Sequence, residues 1–298
     1  MTHAIDVQSV SRTYGRSTAL EHVNFEVPEG SITGLLGRNG AGKTSIMSII
    51  AGHDRPSSGT VHVHGHEPFE NASTLEQISY VRDNQRYPDD YRMGHVLRIA
   101  PAFAPNWSRE LAEELVDGFR IPSKTPLAKL SRGQLSSVAI VLGLASRAPV
   151  TLFDEPYLGL DVTARELFYE TLIRDHAEHP RTVLLSTHLI AEAANLFDRI
   201  VLLEGGLVVV DVDIDEVHNL AFLVSGVAKA VEQLTAGRSV LSSKTIGRLQ
   251  SVTISGPIDE SIRSEAEGLG VEISPASLHD LVAAHATVGN DAPHEVLI

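Results

Sequence analysis

The 298-residue chain contains no cysteine, which excludes disulfide bridges and thiolate chemistry. It also lacks a long apolar run. The best candidate, Val138 to Ala145, falls far short of the roughly 20 residues a membrane-spanning helix needs. It follows the polar Gln134, Ser136 and Ser137, so a buried helix is expected there. Residues Met1 to Val10 hold neither a basic segment nor an apolar run, so no secretory signal is expected and a cytoplasmic location follows. Basic residues are scarce: 24 Lys and Arg against 38 Asp and Glu give a net charge of -14, which opposes the basic footprint of general nucleic-acid binding. An anionic ligand therefore needs a local device. What is present is ordinary globular composition, 43% hydrophobic, with length for about two domains.

The local device lies at Gly37, Arg38, Asn39, Gly40, Ala41, Gly42, Lys43 and Thr44, which fit the phosphate-loop spacing of glycines closed by Gly-Lys-Thr. Ser31 to Leu36 reads as a buried strand before it. Ser45 to Ala51, with Ile46, Met47, Ile49 and Ile50, reads as a buried helix after it, stopped by Gly52 and Pro56. Backbone N–H groups of such a loop close around phosphate oxygens; Lys43 adds a full positive charge and Thr44 a hydroxyl for Mg²⁺.

Farther along, Val150 to Phe153 is an apolar run suited to a parallel strand buried on both faces, and it ends in Asp154 and Glu155. Carboxylates at that edge can hold Mg²⁺ (Asp154) and polarise an attacking water (Glu155). Leu130 to Gln134, Leu-Ser-Arg-Gly-Gln, opens a helix with Leu135, Val138, Ala139, Leu142 and Ala145 on one apolar face. Ser131 and Gln134 make a capping box, and that alone accounts for them. The alternative is that Ser131, Gly133 and Gln134 form a second anion site; one phosphate loop cannot share its phosphate with such a site on the same face.

In this order the motifs resemble the nucleotide-binding subunits of ABC transporters over Ile5 to about Val210: Tyr14, the phosphate loop, the Leu-Ser-Arg-Gly-Gln signature, the Asp154-Glu155 strand, Gly159-Leu160-Asp161 and His188. The resemblance implies an α/β P-loop NTPase core with an antiparallel β subdomain and a helical subdomain. It implies ATP and Mg²⁺, a second nucleotide-binding subunit as homo- or heterodimer, and multispanning membrane permease subunits. The chain would then sit at the inner face of the cell membrane as a cytoplasmic ATPase powering transport. By residue, Tyr14 would stack on adenine, residues 37 to 45 including Ser45 would bind phosphate, and Ser131, Gly133 and Gln134 would close over a partner's nucleotide. Thr44 and Asp154 would hold Mg²⁺; Glu155, His188 and Lys43 would be catalytic. The coupling glutamine expected after Tyr80-Val81-Arg82 falls at Asp83, while Gln85 lies two residues later, so both are candidates for the Mg²⁺-sensing position. Arg38 and Tyr157 replace commoner Pro and Ser or Thr. The wording of the phosphate loop resembles exporter-type, ABC-2-like subunits, so export is expected.

The helical subdomain is expected at about residues 89–147, punctuated by Pro101, Pro105, Pro122 and Pro126. The cassette would occupy residues 1–212, closing with a Gly205-Gly206 hairpin. Residues 213–298 would form a small α+β domain with strands at 221–225, 239–245 and 250–254 and helices at 227–235, 257–269 and 278–286, fraying from Gly289. His62, His64 and His66 alternate as on one strand face; with no acidic or sulfur ligand beside them they read as a solvated face rather than a zinc site. Two other functions compete. A soluble ABC-type ATPase acting on nucleic acid or ribosomes is disfavoured by the single motor and the acidic balance, and a small-molecule phosphotransferase leaves the signature unexplained.

Overall fold

The computed structural model describes residues 2–83 and 85–288; Asn84, within the Asp83/Gln85 segment, and the tail expected to fray from Gly289 lie outside the described residues. Its main sheet has six strands, in the order Ile78–Arg82, Val150–Asp154, Thr182–Thr187, Ile32–Leu36, Arg199–Glu204, Leu207–Asp213. The first five run parallel and the last antiparallel. Every residue of the three central strands is buried, the polar Thr33, Thr151 and Ser186 included, as strands covered on both faces require. Register fixes what meets at one edge. Leu36 pairs with Thr187, Asp154 with Ser186 and Arg82 with Asp154, so four strands deliver their exits to a common rim.

Helix Lys43–Ile50 is sandwiched between this sheet and an antiparallel three-stranded sheet ordered Ser17–Pro28, His3–Tyr14, Ser58–Val63. Ile46, Met47, Ile49 and Ile50 pack with Ile5, Leu20 and Val23 of the small sheet and with Leu35, Leu152 and Leu184 of the large one. Its apolar residues form one broad stripe turned to the two sheets, while Thr44, Ser45 and Ser48 stay outside that core. Strand Ser58–Val63 stops before His64, whose φ is 48°, so the three histidines do not share a strand face as expected.

The insert between strands Ile78–Arg82 and Val150–Asp154 is helical, with Met93–Ile99, Arg109–Gly118 and Arg132–Ser146. Ser108 caps the second of these by accepting from the Leu111 N–H at 3.3 Å. After Asp213 comes a four-stranded antiparallel sheet ordered Val240–Ile246, Leu249–Ser255, Ala221–Val227, Glu272–Pro275. Helices Ala228–Thr235 and Glu260–Leu269 cover it through Val231, Leu234, Ile262 and Ala266. Strand Glu272–Pro275 was not expected: four residues ending in Pro carry no alternation to read. Helix Leu278–Val288 packs against strand Val240–Ile246 and also against helix Ile190–Ala193 and strand Arg199–Glu204 of the cassette. Leu278, Leu281 and Val282 thereby join the same core as Leu196, Phe197 and Val212, across the boundary expected near residue 213.

Candidate functional site

The phosphate loop leaves strand Ile32–Leu36 at the sheet rim and turns into helix Lys43–Ile50. Gly37 has φ 145°, and a Cβ there would collide with the Leu203 carbonyl oxygen, so only glycine lets the loop lie this close to the next strand. Lys43 is only 5% exposed. Its ammonium donates to the carbonyl oxygens of Gly37 at 2.7 Å and Arg38 at 3.1 Å and pairs with Glu155 Oε1 at 3.2 Å. Three protons meet three acceptors, so the charge is held in place while still lining the cavity.

That cavity, about 670 Å³, is bounded by Lys43, Thr44, Ser45, Asp83, Asp154 and Glu155, among others. Asp154 is 5% exposed and stays fixed because Ser186 Oγ donates to its Oδ1 at 2.6 Å and the Tyr80 hydroxyl to its Oδ2 at 3.4 Å. Burial, and then the Asp154 charge, push the Tyr80 phenol up to about 12, which keeps it a neutral donor. Ser186 Oγ also accepts from the Glu155 N–H at 3.0 Å. One serine thus fixes both acidic residues. Glu155 has φ 46°, a left-handed backbone that a non-glycine residue adopts only under constraint. Its Oε2 lies 3.1 Å from His188 Nδ1, while Oε1 meets Lys43. A second cavity of about 500 Å³ opens between His188 and Arg38, Asn39, Gly40 and Ala41.

The structure therefore brings together residues 38 to 45, Asp154, Glu155 and His188, whose expected roles call for one site. A buried ammonium at a helix start suits a polyphosphate. No cluster of three or more His, Cys, Asp or Glu side chains able to hold a metal exists among the described residues. The lining nevertheless suits Mg²⁺, which is commonly held by a hydroxyl, one carboxylate and phosphate oxygens: Thr44 and Asp154 line one cavity and would supply the first two.

Other expected residues lie elsewhere. Ser131 is exposed, and neither it nor Gly133 or Gln134 lines the phosphate cavity. The capping box is made in both directions, Gln134 N–H to Ser131 Oγ at 3.2 Å and Ser131 N–H to Gln134 Oε1 at 3.0 Å. Gly133 abuts the Gly159 carbonyl so closely that a Cβ would overlap it. Ser136 Oγ donates to the Leu158 carbonyl at 2.7 Å, and Asp161 caps helix Val162–Glu178. Tyr14 does not line the cavity either; it is 45% exposed, with its hydroxyl donating to Asp54 at 2.7 Å and its ring under the Arg12 guanidinium. Of the two coupling candidates, Asp83 lines the phosphate cavity and pairs with Arg132 of the signature at 2.6 Å. Gln85 lines no part of it, and its Oε1 is buried without a partner among the described residues. Sequence reasoning assigned nothing to Ser186 or Tyr80, although Ser186 directly precedes Thr187-His188 and a parallel register would have placed it opposite Asp154.

A phosphate loop, a paired acidic edge, a facing histidine and a capped signature helix on this sheet define a nucleotide-binding α/β cassette. Residues 20–158 match the family described as ABC transporter, and the chain carries the ATP-binding cassette of that family. It is 34% identical over 219 residues to the sulfate/thiosulfate import ATP-binding protein CysA of Mycobacterium tuberculosis, covering 69% of this chain and 60% of that protein. A solved ATP-binding subunit of an ABC transporter superposes with a TM-score of 0.65 at 28% identity, covering 73% of this chain and 92% of that one. A dimeric post-hydrolysis cassette bound to ADP and Pi gives 0.62 at 25% identity, with coverage of 70% and 98%. The chain spans about 60% of the length of the first of these relatives. Relatives named for import, of sulfate or aliphatic sulfonates, outnumber one named for Nod factor export, so the expectation of export gains no support.

Proposed function

We propose that the chain binds ATP with Mg²⁺ and hydrolyses it at a site completed by the signature helix of a second cassette, driving membrane-spanning partner subunits from the cytoplasmic side. One observation carries this reading. The signature end at Ser131–Gly133 is a solvent-exposed, self-capped helix start that does not line its own chain's phosphate cavity, so it is accessible to another chain. Mg²⁺, when bound, supplies charge neutralisation at the phosphates.

The protein's own groups do the rest. Lys43 turns from Glu155 to the incoming phosphate, freeing the Glu155 carboxylate to take a proton from the attacking water. His188, beside Glu155 and across the cavity from Arg38–Ala41, holds the far side of the phosphate. Ser131 and Gly133 of the opposing cassette cover the remaining face, excluding water. The acidic net charge disfavours a nucleic-acid or ribosomal partner. Export rests on the loop wording alone, and relatives named for both directions share this architecture.

Complementation tests the composite site. Lys43→Ala and Ser131→Arg chains are each expected to be inactive, but mixed they should recover about a quarter of wild-type turnover, because random pairing gives half heterodimers with one intact site each. No recovery would overturn the shared-site reading. Co-purification with a multispanning subunit tests the membrane coupling.

A further inference from the structure

We propose that Tyr157, two residues after the paired carboxylates, is a positioning residue for His188, its buried hydroxyl fixing the histidine's backbone and ring against Glu155. This rests on the catalytic reading of His188 given above. Tyr157 is 2% exposed, and its phenol donates to Thr187 Oγ1 at 2.9 Å. The same oxygen accepts the His188 backbone N–H at 3.0 Å and lies 3.4 Å from His188 Nδ1. The two rings meet edge to face at 5.8 Å. Thr187 Oγ1 in turn accepts from the Leu189 N–H at 2.9 Å, so one phenol organises three consecutive residues.

The proton count also fixes the imidazole. A phenol has one proton, and here it goes to Thr187; toward Nδ1 the oxygen can only accept. The Glu155 carboxylate, 3.1 Å from Nδ1, can also only accept. Nδ1 must therefore carry a proton in this arrangement, and Nε2 must carry one as well whenever it holds a phosphate oxygen. Burial, outweighing hydrogen bonds to Thr187 and His188 that pull the other way, pushes the Tyr157 phenol up to about 12, so it stays protonated wherever the enzyme works. A purely space-filling aromatic at this position would need none of these bonds; phenylalanine would serve.

A double-mutant cycle tests the proposal. Tyr157→Phe keeps the ring and removes the hydroxyl. In the otherwise wild-type chain it should lower kcat on the order of fivefold, about the net worth of one of the hydrogen bonds the hydroxyl makes, with KM for ATP within about twofold. On a His188→Ala background it should change kcat no further. The same fractional loss in both backgrounds, or no loss in the first, would overturn the proposal and leave His188 itself untouched. Wild-type turnover by His188→Ala alone would instead remove the catalytic reading of His188 and this inference with it. Should Tyr157→Phe fail to fold, Thr187→Val removes the acceptor of the phenol proton, and the same cycle is read on it.

Discussion

The Lys43 ammonium and the Glu155 carboxylate stand 3.2 Å apart at the sheet rim, each only slightly exposed, so the group expected to bind phosphate is held by the group expected to activate water. Nucleotide binding must exchange one partner for another. Glu155→Gln should slow ATP turnover by about 10² or more, through loss of the proton acceptor. It should leave ATP affinity equal or tighter, since the amide holds Lys43 less firmly than a carboxylate. Steady-state turnover and a fluorescent-nucleotide titration read the two effects separately. Unchanged turnover would remove Glu155 from its role.

Gly133→Ala tests the contact between the signature and the segment after the acidic edge. The added Cβ would overlap the Gly159 carbonyl oxygen, forcing one backbone to retreat. A cost of about 1–3 kcal/mol is expected, visible as a lowered melting temperature, together with a larger loss of ATP turnover. A variant as stable and as active as the wild type would show that the two segments can part freely.

Asp175 lies remote from the site and concerns stability alone. It is 3% exposed and pairs with Arg181 at 2.7 Å, itself 3% exposed at the side chain, and with Arg147 at 2.7 Å. Burial pulls the Arg181 guanidinium below its ordinary value in spite of Asp175, a sign of how costly its desolvation is. Asp175→Ala leaves that cation buried and unpaired, and should cost about 3–5 kcal/mol in urea denaturation. Arg174→Ala, whose partner Glu114 is about half exposed like itself, should cost less than about 1 kcal/mol.

Asp83 and Gln85 are separated by their Mg²⁺ dependence. Asp83 lines the phosphate cavity and Gln85 does not. Asp83→Ala is therefore expected to raise the Mg²⁺ concentration at half-maximal ATP turnover about threefold or more, and Gln85→Ala to leave it within about twofold. The reverse order would assign the sensing role to Gln85.

The parts of the site that are contiguous in sequence were legible there. Gly37 to Thr44, Ser131 with Gln134, and Asp154 with Glu155 carry their chemistry within a few residues, so spacing alone reveals it. The residues that hold them in place were not. Ser186 reaches Asp154 across 32 positions and Tyr80 reaches it across 74, contacts that exist only once parallel register is set. Tyr14, which motif order assigns to the nucleotide base, stands exposed, with its polar contacts to Asp54 and Arg12. In the last third of the chain the longer strands and helices were readable from their patterns, but Glu272–Pro275 was too short to announce itself.

Helix Leu278–Val288 comes last in the described chain and packs on the first part's core. The chain therefore cannot be trimmed at residue 213 like beads cut from a string. Such a truncation would strip the cover from helix Ile190–Ala193 and strand Arg199–Glu204 and present a sticky apolar face to solvent. The two parts should melt in a single transition, and selection acting on the small sheet would be felt directly in the soundness of the cassette.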